Sequence, residues 1–216
     1  MLGNLSLGTN SISEIVTFWL GASLEGAAAA AARRDWWYRG GAPVDDDIRA
    51  RFGHLIPQAC AGELAAWQST PDGALALILL LDQFTRNIYR NTPRAYEGDV
   101  HAFEVVTTAI EQKLDTALPP VSRIWLYHPF HHSEDVGEQD RGIVLLNGLL
   151  RDAASEWHAY VERSIEGWTR HRNIVARFGR FPHRNAVLFR ASTGEETKFL
   201  KTNGEAFGQG PKPTSP

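Results

Sequence analysis

Carboxylates, guanidinium groups, amides and imidazoles recur in three polar islands of a 216-residue chain that is otherwise rich in apolar residues. The first reads Leu81-Asp82-Gln83-Phe84-Thr85-Arg86-Asn87. The second reads His131-His132-Ser133-Glu134-Asp135, and the third Phe178-Gly179-Arg180-Phe181-Pro182-His183-Arg184-Asn185. Each sets charged or polar groups beside large hydrophobic side chains, where an unpaired charge is costly and has to find a partner. Two chemistries follow. Imidazole beside carboxylate is the equipment of general acid–base catalysis, and the candidate pair is His132 with Glu134, or with Asp82 from the first island. Guanidinium forks match carboxylate or phosphate oxygens with paired hydrogen bonds, which makes Arg86, Arg180 and Arg184 candidate holders of an anion.

Every island also has an architectural explanation. Asp82 and Arg86 stand four apart with the carboxylate first, the favourable order for a helical ion pair. They either fix helix register, with Asn87 bonded to backbone, or Arg86 and Asn87 donate to a ligand while Asp82 orients them. Ser133 suits a helix N-cap, with Glu134 and Asp135 as acidic partners of the helix dipole. That accounts for half of the second island without a ligand. In the third, Gly179 permits unusual backbone dihedrals and Pro182 stiffens the loop. His183, Arg184 and Asn185 there, with Arg177 and Arg180, either form a binding loop or neutralise Asp82, Glu134 and Asp135. Adjacent histidines lack the i, i+4 spacing of a helical metal motif, so no metal site is assigned. No GxGxxG, Walker-type loop or CxxC occurs, and no cofactor is indicated.

The elements that must position these groups read as helices almost throughout. Ser11-Ile12-Ser13-Glu14 fits a capping box opening a helix through Trp19. Thr70-Pro71-Asp72 is a start signal with proline at the first helical position, and the helix it opens runs to about Tyr89. Because apolar residues surround that helix on all sides, it is expected to be central and buried. Further helices are expected over 93–113, 119–128, 134–151, 153–176 and 192–201, with Pro129 closing the 119–128 helix and Ser192-Thr193 capping the last. Residues 1–10 read as a flexible start and 204–216 as a disordered tail rich in Gly, Pro and Ser. The seven tryptophans divide in expectation: Trp19, Trp36, Trp37 and Trp125 between helices, and Trp67, Trp157 and Trp168 as possible walls of an apolar groove.

Composition narrows the class. The formal net charge of −3 argues against a general nucleic-acid surface. A lone cysteine, Cys60, excludes an internal disulfide and points to a reducing, cytoplasmic setting. No basic segment with a long apolar core opens the chain, and the strongest apolar run, Ala74 to Leu81, is too short for a bilayer, so no secretory signal or membrane span is expected.

Those islands, in that order, resemble the domain-of-unknown-function 924 family of bacterial proteins. The likeness rests on Leu80 to Asn87, on Tyr127-His128-Pro129-Phe130-His131-His132-Ser133-Glu134 and on Arg177 to Asn185, with Phe18-Trp19, Trp36-Trp37 and Phe52-Gly53 in support. The resemblance implies an all-α fold like tetratricopeptide helical repeats and brings no established activity. His128 and His131 depart from the family's usual residues, and Phe189 stands where the family usually has glycine, beside Arg190.

The sequence therefore predicts one all-α domain over 11–203 with about nine helices around the 71–90 helix, and the resemblance implies that they form a tetratricopeptide-like right-handed array. The islands are expected to converge on one pocket for a small carboxylate or phosphate. Asp82, Arg86, Asn87, Ser133, Arg180, His183, Arg184 and Asn185 are its expected binding residues, and His132 and Glu134 its acid–base pair. The rival expectation is a peptide- or protein-binding module with an elongated groove, in which the islands are internal fastenings.

Overall fold

Local signals in the sequence start and stop most of the helices. The structure, a computed structural model, describes the backbone of residues 2–203 and the side chains of residues 11–202. The expected disordered tail and the side chains of the expected flexible start lie outside the described residues. Eleven helices and no strand are formed among those described. They are α1 (Leu2–Leu20), α2 (Ala27–Arg39), α3 (Gly41–Phe52), α4 (Leu55–Cys60) and α5, which begins as Pro71–Ile78 and continues to Ile88. After it come α6 (Asp99–Glu111), α7 (Pro120–Leu126), α8 (His128–His132), α9 (Val136–Asp152), α10 (His158–Phe178) and α11 (Gly194–Asn203). Because α1 starts at Leu2, the Ser11–Glu14 box lies inside a helix rather than at its beginning.

Helix α5 is the axis of the molecule. Thr70 caps it by accepting from the Gly73 amide at 3.2 Å, and Pro71 occupies its first turn, where a missing N–H costs nothing. Every residue from Gly73 to Asp82 is buried, and α1, α3, α6 and α7 pack around it. An ordinary α-helix is expected here, but Leu79–Phe84 forms a π-helical turn before α-geometry resumes at Thr85–Ile88. Such wide turns leave the regular i→i−4 ladder and are frequent at functional sites. Asp82 sits on it. A cluster of aromatic rings closes the core beside this turn: Trp19 packs edge-on to Phe84 at 5.4 Å and to Trp125 at 5.1 Å.

Two boundaries differ from the sequence reading. Pro129 was expected to end the helix before it, but it opens α8 from the first turn, the one helical position that tolerates it well. Ser133 does not cap α9: Asp135 does, accepting from the Gly137 and Glu138 amides at 2.7 and 3.1 Å, while Ser133 Oγ accepts from the Asp135 amide. The separate short helices α4 and α8 raise the helix count from the nine expected to eleven among the described residues.

Helices α9 and α10 pair along their length and cover α8. Gly142 permits that approach, since a Cβ there would stand 2.8 Å from Phe130 Cβ and 2.9 Å from Trp168 Cζ3. Helix α10 ends at Gly179, whose φ of 68° is the left-handed cap that glycine supplies. The loop that follows folds back onto α10 and α11 through a small separate cluster of Ile174, Val175, Phe181 and Phe199. Thr193 and Glu196 cap α11 reciprocally, as the sequence predicts. No helix among the described residues is long and apolar enough to cross a membrane.

Candidate active site

The islands meet at the C-terminal part of α5. The π turn carries Asp82 to the base of α8, where His132 Nδ1 lies 2.7 and 2.9 Å from its two carboxylate oxygens. A carboxylate only accepts, so Nδ1 carries the proton and the Nε2 lone pair is left as an acceptor. Arg86 continues the network, with Nη1 3.2 Å from Asp82 Oδ1 and a bidentate grip on Asp99 at 2.9 and 3.0 Å. Arg184, from the third island, donates to the His132 carbonyl at 3.0 Å and lies 4.0 Å from Asp99. Asp99 was not among the residues singled out by sequence. It reaches this point because Gly98 lets the start of α6 touch α5; a Cβ at Gly98 would stand 2.3 Å from the Leu81 carbonyl oxygen. That glycine was the signal available.

Beside this network lies a cavity of about 380 Å³, within the size range of small-molecule sites. Its buried end is formed by Arg86, Arg184, His128, His131 and His132, and its outer part by Arg34, Tyr38, Arg163 and Arg170. Six arginines line it and no carboxylate does: Arg34, Arg86, Arg90, Arg163, Arg170 and Arg184. The acids that steady Arg86 and Arg90, namely Asp99 and Asp45, stand behind the wall. The walls are aromatic, with Trp37, Trp125, Tyr160 and Trp168 among them. Three polar atoms there are buried and make no hydrogen bond among the described residues, the Tyr96 hydroxyl, His131 Nδ1 and Arg184 Nε.

Burial and positive charge set the protonation of the site. Burial first, then the nearby Arg86, His128 and Arg184, hold His132 well below the ordinary imidazole range. Burial and the three neighbouring imidazoles do the same to His131, which stacks on Trp168 and lies 3.9 Å, centroid to centroid, from His171. Burial lowers His128 and His171 each to about 4, although each holds a backbone carbonyl through Nδ1. His183 falls to about 3 through burial and Arg184. Burial also works against Arg86, but Asp82 and Asp99 outweigh it and keep its guanidinium charged. At neutral pH the site is therefore a set of neutral imidazoles in an arginine field.

Of the expected site residues, Arg86, His132, His183 and Arg184 line the cavity, and Asp82 backs His132. The others are elsewhere. Glu134 does not pair with His132: it accepts from Arg190 at 2.6 and 3.0 Å and from the Phe181 amide at 2.8 Å, which lowers its pKa against the effect of burial. Asn87 turns to Asp45 on α3 at 2.6 Å, and Arg180 is held by Glu196 at 2.7 and 2.9 Å. Asn185 donates to Ser192, and Ser133 serves the loop before α9. Asn87 ties α5 to α3, Arg180 ties its loop to α11, and Glu134, Asn185 and Ser133 hold the loops themselves. Arg34, Arg163 and Arg170 were missed because each sits in an ordinary-looking helix, where arginine is a common surface residue. Trp168 lines the cavity as the groove reading allowed, whereas Trp67 and Trp157 do not. No group of three or more His, Cys, Asp or Glu among the described residues is arranged to hold a metal ion.

Fold and site together define an all-helical protein whose central helix opens a π turn beside an arginine-lined cavity. The chain belongs to the family described as "Bacterial protein of unknown function (DUF924)", whose model matches residues 15–204. A solved structure of a protein of unknown function from Agrobacterium tumefaciens is similar at 34% identity, with a TM-score of 0.74 over 88% of this chain and 96% of that one. No curated protein matches the chain.

Proposed function

We propose that this protein binds a small carboxylate or phosphate compound in the arginine-lined cavity and acts on it with His132 as general base. The observation that carries the reading is the Asp82–His132 contact at 2.7 Å at the edge of a cavity with six arginines and no carboxylate. Asp82 fixes the tautomer, so that Nε2 is the atom that takes a proton from a ligand hydroxyl or from water. The imidazolium that forms is stabilised by Asp82, and the anion left behind faces the guanidinium groups.

The same arginines couple binding to chemistry. Arg86 and Arg184 depress the basicity of His132 in the unliganded protein. An anion bound against them offsets their field and raises the imidazole toward its ordinary value, so the base strengthens when the ligand is in place. Histidine NMR titration tests this directly. The His132 resonance is expected to titrate at higher pH with saturating phosphate than without it, and an unmoved titration removes the anion from the neighbourhood of His132.

Native mass spectrometry of the purified protein, before and after denaturation, tests the binding itself. A small acid lost on denaturation supports the reading. A clean mass, with no thermal stabilisation by a panel of carboxylates and phosphates, overturns it. The compact cavity, rather than an elongated groove, is what favours this reading over a peptide-binding module.

A further inference from the structure

The glycines inside the helices are of two kinds. Gly73 on α5 and Gly142 on α9 explain themselves by packing, because a Cβ would meet neighbouring atoms below 3 Å. Gly148 on α9 and Gly167 on α10 do not, and of these two only Gly167 lines the cavity. It lies eleven residues before the end of a 21-residue helix, where glycine is destabilising relative to alanine. A Cβ built on it would meet only the tip of Arg170, at 3.8 Å, an ordinary contact with a flexible side chain. Nothing in the protein requires the side chain to be missing, and the position faces the cavity.

Its surroundings are ordered along the helix. Arg163 and Arg170 are seven residues apart, two turns or about 10 Å of helix, and both line the cavity from its exposed side. Ser164 and Trp168 lie on the same face between them. Trp125 and Tyr160 complete an aromatic wall around the bare backbone at Gly167. Trp125 and Trp168 are each already backed by a stacked histidine, His128 at 4.2 Å and His131 at 4.8 Å. A space walled by rings and bare helix, with guanidinium groups at the mouth and beside the neutral imidazoles at the base, selects for shape as well as charge.

We infer that the ligand is an aromatic anion: its ring lies against the α10 backbone at Gly167, and its negative group lies at the buried end against Arg86 and Arg184, where Arg184 Nε makes no hydrogen bond among the described residues. This deepens the binding reading above and rests on it. The ring's far edge then points to the mouth, between Arg163 and Arg170. Gly167 is the specificity-determining position, because any side chain there occupies the space of the ring.

Three probes separate the ideas: phenylphosphonate, methylphosphonate and benzyl alcohol, each titrated calorimetrically with tryptophan fluorescence as a second readout. Phenylphosphonate is expected to bind at least about tenfold more tightly than either of the others, since aromatic burial and charge pairing then act together. In Gly167→Leu, phenylphosphonate affinity is expected to fall about tenfold or more while methylphosphonate binding stays within about twofold. Gly167→Ala is expected to raise Tm by about 2–4 °C and still weaken phenylphosphonate, which separates a space kept for a ligand from one needed for folding. Equal binding of phenylphosphonate and methylphosphonate, or indifference of phenylphosphonate to Gly167→Leu, overturns the aromatic inference and leaves the anion site standing. Failure of all three probes to bind overturns both.

Discussion

Phe189 shows at the scale of a residue how a fastening is held at a cost. Its φ is 56°, a left-handed conformation that an L side chain adopts at about 1–2 kcal/mol, and its ring is 89% exposed, so packing returns little. The conformation turns the chain so that the next residue, Arg190, grips Glu134. Glycine would take this turn without strain. Phe189→Gly is therefore expected to stabilise the protein by about 0.5–1 kcal/mol, the relief of strain being partly offset by the added freedom of the unfolded chain. Urea unfolding with an unchanged m-value is the measurement. A loss of stability would mean that the ring has a packing role. The same contrast separates two residues adjacent in sequence space but not in function: His132 turns inward to Asp82, while Glu134, two positions on, is spent on Arg190 and the Phe181 amide.

At the scale of an element, the short stretch between α8 and α9 decides which side chains are available to the cavity. Gln139, fully buried on α9, donates to the carbonyls of His131 and Ser133 and so fixes where α8 ends. Asp135 takes the capping role that Ser133 suggested, because its carboxylate reaches two amides of the first turn. Asp135→Ala is expected to cost about 1–2 kcal/mol and Ser133→Ala about 0.5 kcal/mol or less, read from chemical denaturation. Equal costs would return the cap to Ser133. The expected acidic partners of the helix dipole are thus one cap and one ion pair with a distant arginine. The π turn of α5 is the other decisive element. It adds one residue to the turn that carries Asp82 and keeps Arg86, Asp82 and His132 in a single network.

For the whole molecule, the histidines make stability depend on pH with a definite sign. His128, His171 and His183 titrate at about 4, about 4 and about 3 in the folded protein, against an ordinary value near 6.5. Their folded values are depressed, so below pH 6.5 the unfolded chain binds protons that the folded one does not. The stability they contribute is complete above about pH 6.5 and is lost as pH falls toward 4. A loss on the order of 5 kcal/mol between pH 6.5 and 5, shared about equally by the three imidazoles, is expected from urea midpoints measured at intervals across that range. A flat profile would show that these imidazoles titrate normally in the folded state. Arg184, itself lowered by burial and by Arg86, is part of what opposes the protonation of His171 and His183.

The all-helical class, the buried α5 with its Thr70 and Pro71 start, the Thr193–Glu196 cap and the convergence of Asp82, Arg86, His132 and Arg184 were legible in sequence. They follow from local rules: periodic apolar residues, caps that satisfy nearby amides, and the need of a buried charge for a partner. Partner choice was not legible. A buried carboxylate requires a cation or donor, but the sequence of Glu134 is equally compatible with His132 and Arg190, residues two and fifty-six positions away. The π turn was equally hidden, since Leu79 to Phe84 has the composition of an ordinary helix. The arginines on α2 and α10 look like surface residues until the two helices are brought to one cavity. Tertiary structure decided these points because they depend on which groups are close after the chain has packed, and local periodicity carries no record of that distance.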